Sequence, residues 1–186
     1  MHILLHTCCA ICFTGPHKAL QGEGHEVTGY FFNPNIHPLI EFRRRLKAVK
    51  VLRDRLKVNI ICDEDYGLRQ FLHTVNWETG HRCADCYRMR LDQTAQITGQ
   101  KGFDGFTTTL FTSTHQDHSL IEQMGRSAAD AHGVTFLERD WRDLNDHNQS
   151  EAKRMNLYRQ QYCGCIFSER DRYENTQRHL YRGGGN

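Results

Sequence analysis

Apolar and polar positions along the chain form two recurring patterns, short apolar runs and longer stripes with helical spacing. The short runs favour buried strands, and the stripes favour helices that pack against them. The predicted strands cover residues 3–7, 25–32, 58–62, 103–111 and 134–137. The predicted helices cover residues 16–23, 41–56, a stretch that follows Cys86, and 120–131. Strands therefore alternate with helices along the chain.

Alternating strands and helices predict an α/β fold with one doubly wound, mostly parallel sheet, Rossmann-like or HUP-like. We expect a single domain over residues 1–182, with a Cys-rich C-terminal segment, and a flexible tail at 183–186. Polar segments end three of the predicted strands: Cys8-Cys9, 33–35 and 107–109. Because ligands bind beyond the carboxyl ends of strands in such sheets, we expect these segments to face one crevice.

The helix predicted over 41–56 has a distinct charge pattern. Its apolar residues recur at steps of three and four: Phe42, Leu46, Val49, Leu52 and Leu56. Between Glu41 and Lys57, eight basic residues accompany two acidic ones, a local surplus of six. This surplus predicts either a solvated helix face or a face that contacts phosphates.

Composition and termini exclude several classes of protein. The 186 residues are 38% hydrophobic and 25% charged with a formal net charge of +2, as in an ordinary soluble globular chain. No apolar run approaches the roughly 18 residues of a membrane span, and the N-terminus does not resemble a secretory signal. We therefore expect a cytoplasmic protein without a membrane partner, in a compartment where structural disulfides are rare.

Eight cysteines are unusual in such a chain, and seven of them lie in three clusters. The clusters are Cys8-Cys9-x-x-Cys12, Cys83-x-x-Cys86 and Cys163-Gly164-Cys165. Two thiolates in a CxxC are close enough to share a metal ion or a cluster. The isolated Cys62, at the end of a predicted strand, is interpreted as a core residue.

The cysteine clusters permit more than one chemistry. One zinc ion needs only four ligands, and vicinal cysteines in an extended chain point to opposite sides, which favours a larger cluster or two centres. Four of the thiolates suffice for a [4Fe–4S] cluster: Cys8, Cys9, Cys83 and Cys86. Cys163 and Cys165 are either an easily reduced redox pair or, with Cys12, ligands of a second metal ion. No nucleotide-binding glycine motif is present, so if the chain is a redox enzyme its electrons must come from an external donor.

Five motifs, in chain order, resemble the QueH-type epoxyqueuosine reductase family over residues 3–169. They are Leu5-His6-Thr7-Cys8-Cys9-Ala10, Phe32-Asn33-Pro34-Asn35-Ile36-His37-Pro38, Arg82-Cys83-x-x-Cys86-Tyr87-x-x-Arg90-Leu91, Phe106-Thr107-Thr108-Thr109-Leu110 and Tyr158-Arg159-Gln160-x-Tyr162-Cys163-Gly164-Cys165. One residue departs from the family pattern, Ile11, where relatives commonly have proline.

The resemblance implies an iron–sulfur oxidoreductase that reduces epoxyqueuosine to queuosine at the wobble position of tRNA, the final step of queuosine biosynthesis. The family places its [4Fe–4S] cluster on the vicinal pair and the CxxC, here Cys8, Cys9, Cys83 and Cys86. Cys12 is a further candidate ligand, and a second adjacent iron or other metal ion fits the same reading. The family's CxC, here Cys163 and Cys165, is regarded as redox-active or as contributing to that second metal. The implied partners are tRNA carrying epoxyqueuosine and an external electron donor.

Further residues of these motifs are candidates for substrate contact and proton transfer. The candidate substrate-binding residues are Asn33, Asn35, His37, Arg82, Tyr87, Arg90 and Thr109. Removing an epoxide oxygen as water takes two protons, and the candidate donors are His6, His37 and Tyr87. Unpaired loop bases stack on aromatic rings, and the candidate platforms are Tyr30, Phe32, Tyr87 and Tyr162. Core packing is the alternative for these rings, and it is favoured for Phe32.

Two other functions remain as alternatives at this stage. One is a zinc-stabilised nucleic-acid-binding module without catalysis. The other is a tRNA sulfur-insertion enzyme, which requires ATP and a Ser-Gly-Gly phosphate loop after the first strand. The sequence Cys8-Cys9-Ala10 stands in that place, which disfavours the second alternative.

The basic helix generates a first prediction. Reversing the charge of Arg43, Arg44 and Lys47 should weaken tRNA binding and flatten its dependence on salt, because fewer counterions are released from the phosphates. Fluorescence anisotropy with labelled tRNA at several salt concentrations measures both effects. An unchanged affinity contradicts the assignment of this face to phosphate contact.

Overall fold

The computed structural model describes residues 1–78 and 80–176. Its five strands form one sheet in the order β3-β2-β1-β4-β5, in which every described pairing is parallel. The strands are β1 (His2–His6), β2 (Glu26–Phe31), β3 (Ile60–Cys62), β4 (Gly105–Thr108) and β5 (Thr135–Phe136). The expected doubly wound parallel sheet is thus confirmed. The predicted tail at 183–186 lies outside the described residues.

Helices cover both faces of the sheet. They are α1 (Ala10–Gly22), α2 (Leu39–Leu56), α3 (Leu68–Thr74), α4 (Arg82–Lys101), α5 (His118–His132), α6 (Asn145–Arg154) and α7 (Ile166–Tyr173). The crossovers through α1 and α2 move across the sheet in one direction and those through α4 and α5 in the other, so right-handed connections place the two pairs on opposite faces. α6 packs against α1, and α5 packs against α4.

The predicted apolar stripe of α2 is buried as expected, apart from its last member. Phe42, Val49 and Leu52 are almost fully buried against the sheet, whereas Leu56 is 37% exposed at the end of the helix. Cys62 packs at the edge of the same core, and burial raises the pKa of its thiol. The interpretation of Cys62 as a core residue is therefore confirmed.

Several predicted boundaries were wrong. α1 begins at Ala10 rather than at Pro16, which lies inside the helix, because Ile11 and Phe13 extend the buried face toward the sheet. α4 begins at Arg82, so the CxxC lies within its first turns rather than before it. The strand predicted over 103–111 ends at Thr108, whose hydroxyl accepts a hydrogen bond from Leu110 N and caps a 3₁₀ turn.

Three short helices, α3, α6 and α7, were not predicted. The periodic pattern of apolar residues is too weak there to indicate a helix, since α3 buries only Phe71 and α7 buries none of its residues. Their positions depend on contacts with distant segments. Phe71 of α3, for example, packs with Val75, Met89 and Cys165 in a small second core.

A close backbone approach fixes α3 against the loop that follows β2. A Cβ added at Gly67 would lie 2.7 Å from the Cα of Pro34, a distance at which the backbone must move. Gly67→Ala should therefore lower the free energy of unfolding by about 1–3 kcal/mol, as overpacking does. Gly22→Ala is the matched control, because a Cβ there meets nothing within 4 Å. Urea denaturation measures both, and equal midpoints for the two variants contradict the predicted clash.

Candidate cysteine site at the carboxyl edge of the sheet

The polar segments that follow β1, β2 and β4 meet at the carboxyl edge of the sheet. The backbone N–H of Cys8 donates to Thr109 Oγ1 at 3.0 Å, which joins the end of β1 to the end of β4. The Asn33 side chain donates to Thr7 O at 2.9 Å, which joins the loop after β2 to the same place. The expected convergence of the three segments is confirmed, because β1 lies between β2 and β4.

Cys8, Cys9 and Cys12 form the first group of thiols. Their Sγ atoms all lie within 4.8 Å of one another, with 3.8 Å between Cys8 and Cys9 and 3.1 Å between Cys9 and Cys12. The expectation that vicinal cysteines point apart is wrong here, because the chain turns from β1 into α1 immediately after Cys9. The three sulfurs thus collect at the N-terminus of α1, where the helix dipole favours thiolates.

Hydrogen bonds concentrate the negative charge of this group on Cys8. Hydrogen bonds from Cys12 and Cys9 hold the pKa of the Cys8 thiol well below its usual range, and Thr109 Oγ1 lies 3.2 Å from its sulfur. Burial raises the pKa of Cys9 to about 12, although the side-chain amide of Gln160 donates to its sulfur at 2.9 Å. The group therefore holds one preferred thiolate beside two thiols.

Cys83, Cys86, Cys163 and Cys165 form the second group. Burial, with smaller contributions from the neighbouring charges of Cys163 and Cys83, raises the pKa of Cys86 to about 11. The Sγ atoms of Cys163 and Cys165 lie 3.9 Å apart. Cys163 is exposed, whereas Cys165 is buried and accepts a hydrogen bond from Ser168 N at the start of α7. The two residues of the pair thus differ in exposure.

The CxC pair is electrostatically asymmetric as well. Hydrogen bonds from Cys165 and, to a smaller extent, from Ser168 lower the pKa of Cys163 to about 5. The hydrogen bond with Cys163 and burial both raise the pKa of Cys165. At neutral pH the exposed Cys163 is therefore the thiolate, and the buried Cys165 retains its proton.

Arg90 lies between the two groups. Its guanidinium donates to Cys86 Sγ at 3.9 Å and to Asn33 Oδ1 at 2.9 Å. Its positive charge also contributes to the lowered pKa values of Cys8 and Cys163. Arg90 is buried, so it acts as a counter-charge that both groups of thiols share.

A second buried arginine holds the C-terminal segment. Arg45 Nε pairs with Glu41 at 2.7 Å, and its two terminal nitrogens donate to Cys163 O and Tyr162 O, each at 2.9 Å. Gly164 has φ +131, and a Cβ there would lie 3.1 Å from Arg45 Nη1, so this position requires glycine. Arg45, counted among the basic residues that could face phosphates, is instead internal.

The loop after β2 forms the other wall of the CxC segment. His37 N donates to Gly164 O at 2.8 Å, and Tyr162 Oη donates to His37 O at 2.6 Å. Burial lowers the pKa of His37 to about 4. The Nδ1 atom of its ring lies 3.1 Å from Tyr66 Oη. Among the described residues, His37 Nε2 and Asn35 Oδ1 have no hydrogen-bond partner.

Other predicted residues lie elsewhere than expected. Tyr30, Phe32 and Tyr87 are buried in the core, so their prediction as stacking platforms was wrong; Tyr162 is only partly buried. Tyr87 Oη donates to Gln116 Oε1 at 2.6 Å, and burial raises its pKa. Arg82 pairs with Asp171 and covers the Phe167 ring.

His6 is neutral and internally paired. Burial, followed by the charge of Arg90, lowers its pKa to about 3. Its Nδ1 lies 2.8 Å from Thr108 Oγ1, and its Nε2 lies 3.2 Å from Phe32 O. Both ring nitrogens are therefore occupied inside the fold, which disfavours His6 as the proton donor.

Sequence reasoning missed three contributors to the site. Gln160 stood inside a quoted motif without a role, Ser168 follows Cys165 at the spacing of a helix cap, and Glu41 precedes Arg45 by one helical turn. The last two spacings are signals available in the sequence. No local signal connects Gln160 with Cys9.

The donors of the site suit a soft metal. Thiolate ligands select zinc, Cu(I) and iron–sulfur clusters over hard cations. The first group lies at the start of α1 and the CxxC in the first turns of α4. Arg90 donates to Cys86 Sγ, and its charge contributes to the lowered pKa of Cys8. The residues present therefore fit a sulfur-bound metal or cluster, with Cys8 already favoured as a thiolate.

Comparison with known proteins identifies the family. The family model described as "Epoxyqueuosine reductase QueH" matches residues 3–171. The chain belongs to the QueH family. A protein named epoxyqueuosine reductase QueH from Dehalococcoides mccartyi is 36% identical over 171 residues, which cover 92% of this chain and 94% of that protein.

Two further QueH relatives have the same printed name. The protein from Thermotoga maritima is 30% identical and is matched over 92% of both chains. The protein from Haemophilus influenzae is 34% identical over 91% of this chain and 72% of its own length. None of the described helices of this QueH-family chain is long and apolar enough to cross a membrane.

The asymmetry of the CxC pair gives a prediction for the reduced, metal-free protein. Because the thiolate is the nucleophile, iodoacetamide should modify Cys163 with a midpoint near pH 5. Cys83, also exposed but with a raised pKa, is the internal comparison. Ser168→Ala removes a hydrogen bond that lowers the pKa of Cys163 and should move its midpoint to higher pH. Peptide mass spectrometry separates the two sites, and a Cys163 midpoint at or above that of Cys83 contradicts the prediction.

Proposed function

We propose that this chain is an oxidoreductase that reduces epoxyqueuosine to queuosine at the wobble position of tRNA. Membership of the QueH family over residues 3–171 carries the proposal. In the reaction both C–O bonds of the epoxide break, a carbon–carbon double bond forms between the two epoxide carbons, and the oxygen leaves as water. The conversion consumes two electrons and two protons.

The proposed cofactor is a [4Fe–4S] cluster. The residues that would hold it are Cys8, Cys9, Cys83 and Cys86, with Cys12 as a further ligand beside them. The lowered pKa of Cys8 and the shared counter-charge of Arg90 support a bound anionic centre between the two groups. When bound, the cluster supplies one-electron transfer. A second, adjacent iron or other metal ion belongs to the same proposal.

The proposed redox pair is Cys163 and Cys165. With Cys163 as the thiolate and Cys165 as the thiol, oxidation of the pair to a disulfide releases two electrons and one proton. The two electrons balance the reduction of one epoxide to an alkene and water, and the second proton comes from a separate donor. The 3.9 Å between the two sulfurs and the thiolate character of the exposed Cys163 support this role. An external electron donor returns the disulfide to the dithiol.

The polar residues of the crevice would shape the substrate pocket. Three of the candidate residues already donate hydrogen bonds within the site: Asn33 to Thr7 O, Arg90 to Asn33 Oδ1 and Thr109 to Cys8 Sγ. We therefore assign them to positioning the site rather than to contact with the substrate. His37 and Asn35 keep polar atoms without partners among the described residues, which supports them as contacts of the modified base. His37 Nε2 is then the candidate site for proton transfer.

One observation favours a rival function. The Sγ spacings of Cys8, Cys9 and Cys12 suit a single tetrahedral ion, since Zn–S bonds of about 2.3 Å place sulfurs about 3.8 Å apart. A colourless protein that carries one zinc ion would support the alternative of a zinc-stabilised nucleic-acid-binding module without catalysis. Metal content and visible absorbance of anaerobically purified protein separate the two, because zinc is colourless and an iron–sulfur cluster absorbs visible light.

The direct test incubates the reconstituted protein with a reductant and tRNA that contains epoxyqueuosine. The nucleoside should lose the mass of one oxygen atom, as measured by mass spectrometry after digestion. A protein that retains iron and binds this tRNA without changing the nucleoside contradicts the proposed activity.

Cys163→Ser tests the redox pair separately. If the pair stores electrons, the variant should keep its iron and lose turnover by at least a hundredfold, on the order expected for loss of an essential catalytic group. Loss of iron in the same variant would instead identify Cys163 as a metal ligand. Cys62→Ser is the matched control, because this thiol packs at the edge of the core away from both groups.

A further inference from the structure

A groove on the surface of α2 is separate from the cysteine site. It encloses about 470 Å³ between α2 and the segment 156–158. Its apolar lining consists of Ile40, Ala48, Val51 and Leu157. Ile40 is 62% exposed, so the groove presents an unusual amount of apolar side chain to solvent.

The rim of the groove is positively charged. Arg43, Arg44 and Lys47 line it, and none of them pairs with a carboxylate among the described residues. Other cations of the same helix behave differently, since Arg45 pairs with Glu41 and Lys50 with Glu64. Three cations without a carboxylate partner among the described residues therefore lie together at the groove.

The groove also offers a flat ring. Tyr158 lines one side, and the Arg44 guanidinium lies over its ring, 5.9 Å from the centroid. Aromatic rings and guanidinium planes are the surfaces on which unpaired RNA bases stack. The groove thus combines an apolar floor, an aromatic ring and three cations that have no carboxylate partner among the described residues. These features suit a ligand that has a flat, apolar part and an anionic part.

The groove is continuous with the cysteine site. Tyr158 precedes Gln160, which donates to Cys9 Sγ, by only two residues, a span of at most about 7 Å. Tyr158 Oη also donates to Glu41 at 2.5 Å, and Glu41 holds the arginine that binds Cys163 O. Ile40 and Arg43 lie in the first turns of α2, the end nearest the carboxyl edge of the sheet.

We propose that the groove binds one unpaired nucleotide of the tRNA, a direct neighbour of the modified nucleotide. Its base would rest against Tyr158 and the apolar floor, and its phosphate would lie at Arg43, Arg44 and Lys47. The inference rests on the proposed function, because it takes tRNA as the substrate. It adds a second recognition site that holds the anticodon loop while the modified base enters the crevice.

The shape of the groove favours a nucleotide over an acidic electron-carrier protein. A volume of about 470 Å³ is that of a site for a small group, and its cations are confined to the rim. A docked protein would need a broader surface, about 800 Å² on each partner in a standard complex.

The test uses a stem-loop RNA of the anticodon arm with guanosine at the wobble position. Two further RNAs lack the base of one flanking nucleotide, on the 5′ or the 3′ side, but keep its phosphate. Wild-type protein should bind one of these abasic RNAs about tenfold more weakly than the intact RNA, in the range of one lost stacking contact. Ile40→Ala should weaken binding of the intact RNA about fivefold and should remove most of the abasic penalty. Leu56→Ala, an exposed apolar residue of the same helix outside the groove, should behave as wild type.

Three results would overturn the inference. An abasic penalty of equal size in wild type and Ile40→Ala shows that the base lies elsewhere. A second result is that Ile40→Ala binds the RNA as tightly as wild type. If this variant also loses turnover of tRNA with a reduced acidic flavodoxin as the donor, but keeps it with dithionite, the groove belongs to the electron carrier. Failure of the wild-type protein to bind the intact RNA removes the proposed tRNA substrate together with the groove. Binding of the stem-loop RNA, combined with failure to reduce tRNA that contains epoxyqueuosine, contradicts only the proposed activity.

Discussion

The ion pair between Arg45 and Glu41 holds the cysteine site together. Both side chains are almost fully buried, and burial of two charges is favourable only when their remaining hydrogen-bonding groups find partners. Tyr158 Oη satisfies the second carboxylate oxygen, and the carbonyls of Tyr162 and Cys163 satisfy the guanidinium. Loss of one partner of such a pair costs about 3–5 kcal/mol, because the other charge is left buried. This single network attaches the C-terminal segment to α2.

Arg90 is the second buried arginine of the site, and it compensates the negative charge of the thiolates. Thiolates at Cys8 and Cys163 are both favoured, and two negative charges near one crevice repel each other in a medium of low dielectric constant. A buried guanidinium between them reduces this repulsion, and Asn33 fixes its orientation. The same charge contributes to keeping His6 neutral. The protonation states of the site are thus set by hydrogen bonds between the thiols and by burial, with a smaller contribution from the charge of Arg90.

Local patterns predicted the frame of the fold but not its long-range contacts. Some signals involve only residues that are close together in the sequence. They are the alternation of strands and helices, the apolar stripe of α2 and the spacing of the cysteines, and they predicted the type of sheet and the candidate thiols. The start of α1 and the place of Arg45 depend on packing against distant segments. Arg45, for example, binds carbonyls more than 100 positions later in the chain, so its sequence neighbours suggested only one more exposed cation. The grouping of Cys8 with Cys9 and Cys12 depends on the change of direction at Cys9, where β1 leads into α1. The spacing of apolar residues does not locate that change of direction.

The two groups of thiols differ in what brings them together. Cys8, Cys9 and Cys12 belong to one strand–helix connection, so the first group forms as soon as β1 and α1 form. Cys83 and Cys163 are separated by 80 positions in the sequence, and closing such a loop has an entropic cost that local contacts must offset. Arg45 and His37 supply those contacts, because they bind the carbonyls of Cys163 and Gly164. The position of the proposed redox pair beside the proposed cluster ligands is therefore controlled from α2 and the loop after β2, and α2 also lines the groove.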